Sequence, residues 1–164
     1  MTWTNRPDMT AGSRLLAEDT DAFLDQIDSL TAPGWTSYTP TWNNTSTSPS
    51  IGNGSWTGSR YRRPSGMDLV LFEIKLLWGS TTGAGTGSFW SFSFPVTPSA
   101  TEADWSGIAW LEDTSAGARR FWHAFAFAGA ILVCAEAGTL AGTGSPWTWA
   151  TGDTLRVRGW YEPA

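Results

Sequence analysis

Met67-Asp68-Leu69-Val70-Leu71-Phe72-Glu73-Ile74-Lys75-Leu76-Leu77-Trp78 decides the fold class. Val70, Phe72, Ile74, Leu76 and Trp78 recur at period two, the spacing of one face of a strand and not of a helix. The alternate positions Leu69, Leu71, Glu73, Lys75 and Leu77 are only partly polar. A strand apolar on both sides needs a cover on its second face as well, supplied by a loop, an arm or another subunit.

The same period continues downstream. In Phe89-Trp90-Ser91-Phe92-Ser93-Phe94-Pro95, Trp90, Phe92 and Phe94 alternate with serines, and further strands are predicted at 106–113, 119–127, 130–136 and 153–162. In the last of these Leu155, Val157 and Tyr161 share a face opposite Arg156, Arg158 and Trp160. Upstream, 56–63 reads as a strand, Asn53-Gly54 as a tight turn, and Tyr38-Thr39-Pro40-Thr41-Trp42 as an extended edge where proline does least harm. The expectation is an all-β domain, an antiparallel β-sandwich or jelly-roll-like fold of about eight strands spanning 34–164.

Pro33-Gly34 closes a different regime, because proline cannot continue a helix and glycine accepts a helix stop. Residues 1–33 are expected to form an arm carrying Trp3 and Met9, then one short α-helix from about Ser13 to Leu30. Ser13, Thr20 and Ile27 recur every seven residues, as do Leu16, Phe23 and Leu30 offset by three, giving a narrow seam. Two readings of the seam stand: a helix lying on the sandwich, or a small bundle closed by the same helix from further chains. The second is preferred and makes Leu16, Thr20, Phe23, Ile27 and Leu30 oligomerisation residues. Trp3 and Met9 are the candidates for docking onto a neighbouring protein.

Composition narrows the function. The 12 Trp and 8 Phe among 164 residues, with only 15% charged residues, suit a pleated aromatic core under a Ser/Thr/Gly surface. A net charge of -5 opposes nucleic acid as the main partner. Six acids against two arginines leave about -4 before residue 34, so the acidity belongs to the first segment. No apolar run follows Arg6, so no signal peptide is expected, and no apolar stretch is long enough to insert in a bilayer.

Gly34-Trp35-Thr36-Ser37-Tyr38-Thr39-Pro40-Thr41-Trp42, Ile51-Gly52-Asn53-Gly54-Ser55, Arg60-Tyr61-Arg62-Arg63, Leu77-Trp78-Gly79-Ser80-Thr81-Thr82, Trp90-Ser91-Phe92-Ser93-Phe94-Pro95 and Trp149-Ala150-Thr151-Gly152-Asp153-Thr154-Leu155 together resemble small virion proteins of actinobacterial tailed phages. The resemblance implies a β-sandwich behind a short N-terminal anchor, often trimeric, serving as a capsid decoration, head-fibre or minor tail protein. It implies a place on the particle surface after synthesis in the host cytoplasm, with the major capsid protein or another virion protein as partner. It transfers no catalytic residues.

Independent chemistry is sparse. His123 sits between aromatics on a predicted strand, where a structural or surface histidine is the simplest reading, and Cys134 lies in an apolar run with no second cysteine to pair with. Gly83-Ala84-Gly85-Thr86-Gly87 lacks the lysine and following helix of a phosphate cradle. Glu112-Asp113 point to opposite faces of a strand or sit in a turn, unlike a glycosidase pair. No catalytic residue, metal site or cofactor is therefore expected. The tryptophans carry an alternative: Trp56, Trp105, Trp147 and Trp149 lie in or beside loops, where flat rings stack on sugars, and a host surface glycan would then be the partner. Core or interface packing competes with that use. Arg60, Arg62 and Arg63 either meet the acids of a neighbour or keep an edge strand soluble.

Overall fold

The computed structural model describes residues 34–64, 67–99, 106–127, 129–134 and 139–164. The expected arm and helix, with Trp3, Met9, Leu16, Thr20, Phe23, Ile27 and Leu30, lie outside the described residues, as does Trp105. The described part is all-β. Nine strands follow in chain order: β1 Thr36–Ser37, β2 Trp42–Asn44, β3 Arg60–Arg62, β4 Val70–Leu77, β5 Trp90–Ser93, β6 Ser106–Asp113, β7 Ala118–Phe127, β8 Ala130–Cys134 and β9 Thr154–Tyr161. All pair antiparallel in one sheet of order β1-β3-β4-β9-β6-β7-β8-β5-β2.

That order forces the sheet to curl. β1 and β2 are its two edges, yet only Tyr38-Thr39-Pro40-Thr41 joins them. Such a link reaches at most about 18 Å, whereas nine strands laid flat would separate the edges by about 38 Å. The side chains record the same closure, because Trp42 on the β2 edge packs at 5.8 Å and 77° against Trp78, which follows β4. Two sheet members six places apart in the order thus meet across the interior.

Alternation puts one face of every long strand inside. Val70, Phe72, Ile74 and Leu76 of β4, Leu155, Val157 and Tyr161 of β9, and Ala109 and Leu111 of β6 are buried with Trp90 and Phe92 of β5. One end of the core is tryptophan stacked on tryptophan: Trp90 lies 5.0 Å from both Trp42 and Trp149, and Trp78 is nearly parallel to Trp90 and Trp149. Each such pair contributes about 0.5–1.5 kcal/mol beyond the area it buries.

Two local expectations change. The turn near Asn53-Gly54 is centred one residue earlier: Gly54 N–H donates to Ile51 O at 2.8 Å, and Gly52 takes the positive φ of 54°. Glycine, lacking Cβ, takes that angle freely. In addition, β3 is shorter than predicted and is flanked by both β1 and β4, so it is not a bare edge.

Candidate functional site

The outward positions of β3, β4, β9, β6 and β7 form rows fixed by register. One row runs Arg60, Glu73, Arg158, Ile108, His123; the next runs Lys75, Arg156, Trp110, Phe121. Trp35 closes the β1 side, with the guanidinium of Arg60 at 4.5 Å and that of Arg62 at 5.2 Å over its ring. Trp35, Arg60, Glu73, Arg158, Ile108, His123, Arg156, Trp110 and Phe121, though not Lys75 or Arg62, line an open trough of about 930 Å³ on the outside of the sheet.

Large apolar side chains face solvent here. Ile108 and Phe121 are each 64% exposed and Trp160 58%, with Trp110 in tilted contact with Phe121 at 5.2 Å. Scattered exposed hydrophobes are ordinary, but a contiguous set marks an interaction surface. Cations share the face. Glu73, 6% exposed, receives Arg60 Nε at 3.2 Å and both Arg158 Nε at 3.0 Å and Nη2 at 2.8 Å. Its carboxylate is covered because two arginines fold over it, and each arginine keeps much of its surface wet. Arg119 adds a cation near Trp110 at 5.8 Å while pairing with Glu112 at 3.0 Å.

Of Arg60, Arg62 and Arg63, read as meeting a neighbour's acids or as keeping an edge soluble, Arg60 pairs with Glu73 and Arg63 with Asp68 inside this chain. His123 is exposed on the trough, across from Ile108. Glu112 and Asp113 divide as expected, the first facing outward to Arg119 and the second serving the β6–β7 turn.

For the loop tryptophans among the described residues, burial favours packing over an open stacking face. Trp149 is 7% exposed, donates its Nε1–H to Gly142 O at 3.1 Å and is packed by Trp78, Trp90 and Trp147. Trp56 is half-buried edge-on against Trp42, and Trp147 is half-buried against Trp149. These rings are engaged with other aromatics, so they offer a sugar little open face. Among the described residues the open tryptophans are Trp35, Trp110 and Trp160, on strands or at a strand end, where alternation alone does not say which side a second apolar face meets.

Among the described residues the interior shows no comparable chemistry. Burial pushes the Tyr38 phenol well up, with a smaller push from Tyr161, and its hydroxyl has no hydrogen-bond partner among the described residues. The Nε1 atoms of Trp42 and Trp147 are likewise buried without partners there. Asp153 is fully buried, yet its carboxylate accepts the backbone N–H of Thr114 at 3.0 Å and of Ala150 at 2.8 Å, a pinning role. Among the described residues no group of three or more His, Cys, Asp or Glu is placed to hold a metal ion, and no helix is long and apolar enough to cross a membrane. Comparisons with family models, curated proteins and solved structures return no match.

Proposed function

We propose that this chain is a non-enzymatic structural protein of a tailed-phage virion. It is a capsid decoration or head-fibre protein, held to the particle through residues 1–33 and assembled as a homotrimer. We read the curled sheet as a jelly-roll-like sandwich whose two walls are the two ends of the sheet folded toward each other. The observation that carries the functional reading is the contrast between the two faces. The inside is filled by interlocking aromatics, and the outside presents Ile108, Trp110, Phe121 and Trp160 among arginines. An exposed apolar and cationic face suits assembly with another protein surface. The resemblance of the stretches 34–42, 51–55, 60–63, 77–82, 90–95 and 149–155 to virion proteins, as read from the sequence, points to the same class.

Quantitative mass spectrometry and imaging of purified virions test it. The expected outcome is this chain on the capsid surface at a copy number matching a repeated lattice position. Absence from washed particles would defeat the reading. Density at the tail would favour a second reading, a tail-associated adhesion module that binds host cell-surface carbohydrate. That reading is favoured by the open rings of Trp110 and Trp160 beside Arg156 and Arg158.

A further inference from the structure

Arg156 on β9 and Lys75 on β4 stand directly opposite each other, and neither forms an ion pair among the described residues. Like charges in that relation destabilise a sheet. One row away Arg60 and Arg158 share Glu73, whereas no described acid answers Arg156. Lys75 lies outside the trough and Arg156 lines it, so an anion entering the trough meets Arg156 first.

Rings flank that cation. Trp110 of β6 is the register partner of Arg156 on its other side, about 5 Å away across the strands. Along β9 the outward positions continue through Arg158 to the open ring of Trp160, about 14 Å from Arg156. Two indoles thus bracket two arginines, and all four side chains line the trough. Arg119, held by Glu112, adds a cation 5.8 Å from the Trp110 ring. The order ring, cation, cation, ring defines the ligand. A carboxylate-rich peptide matches the arginines and leaves the rings in water, while a neutral glycan covers the rings and leaves Arg156 unpaired. A sugar ring bearing a carboxylate does both, because its C–H face lies on an indole while the planar carboxylate takes a guanidinium through paired hydrogen bonds. One such sugar does not reach both rings, so the ligand is a chain.

We propose that the trough binds an acidic polysaccharide, one whose sugar units bear carboxylates, along the path from Trp110 past Arg156 and Arg158 to Trp160. The inference rests on the carbohydrate reading of this face and adds the charge class of the glycan. It leaves residues 1–33 to attachment and uses the outer face as an exposed one.

Calorimetry of the full chain with polygalacturonate, neutral dextran and poly-L-glutamate tests it. Polygalacturonate should bind, more weakly as salt is added, with dextran and polyglutamate at least several-fold weaker. Arg156→Gln should lower the affinity for polygalacturonate about tenfold, and Trp160→Ala several-fold, with near-ultraviolet dichroism confirming that both variants keep the fold. Equal affinity for polyglutamate would overturn the proposal in favour of an acidic protein partner. Dextran bound as tightly as polygalacturonate and indifferent to Arg156→Gln would overturn it while sparing the carbohydrate reading. Polygalacturonate binding indifferent to both substitutions would overturn the assignment to the trough. Binding of neither polysaccharide would also overturn the proposal, and failure to bind host envelopes besides would take the carbohydrate reading with it.

Discussion

Glu73 shows how a carboxylate can sit under the surface without being stranded. It accepts three hydrogen bonds from two arginines that reach it from opposite neighbouring strands, β3 and β9. Removing its charge leaves Arg60 and Arg158 unmatched beside Lys75 and Arg156, four cations on one face. Because the arginine heads stay largely hydrated, the expected cost is below that of a fully buried pair. Glu73→Gln should destabilise the protein by about 1–2 kcal/mol, read as a lower urea midpoint with unchanged slope. Glu73 in the sequence is only an acid on the polar side of a strand; its two partners come from residues 13 and 85 positions away, and nothing local announces them. Trp56, Trp147 and Trp149 leave packing and stacking both open in the sequence for the same reason, since a loop position says nothing about whether the loop folds across the open end of a core.

At the level of elements, the β6–β7 hairpin is closed by a turn that depends on Asp113. Its Oδ1 accepts the N–H of Ala116 at 2.9 Å and the Ser115 hydroxyl at 2.7 Å, and these bonds, the backbone one first, hold its carboxyl below the usual carboxylate range. A depressed folded-state value means that the ionised form is the one the fold favours. The contribution is therefore complete above the ordinary Asp value of about 3.9 and is lost as pH falls through the lower folded value. Thermal unfolding compared between the native chain and Asp113→Asn should show a gap near neutral pH that closes below about pH 4. A gap that persists in acid would contradict the assignment. Elements of this kind were the most legible part of the sequence. β4, β5 and β9 follow from strict alternation, and their observed bounds fall inside the predicted ones. The turn at Gly52 was displaced because two glycines flank Asn53 and only the fold chooses which one takes the positive φ.

For the whole molecule, alternation reveals strands but not their order, and the order is what makes the site. β9 inserts between β4 and β6, matching eight residues of the first and five of the second. The trough exists only because that insertion brings Arg156, Arg158 and Trp160 between Glu73 and Trp110. A chain ending at Asp153 should therefore lose the fold as a whole, not merely a border strand, and should be recovered in the insoluble fraction; a soluble product with native near-ultraviolet dichroism would contradict this.

The position of β9 also bears on how the protein comes into being. Until residues 154–161 leave the ribosome, β4 and β6 each wait with an unpaired margin, and the emerging chain consists of two incomplete sheets. Exposed strand margins pair readily with strangers. The hazardous interval in this protein's life is thus its synthesis, and crowded translation of many copies at once is the condition under which a waiting β4 of one nascent chain would meet a waiting β6 of another.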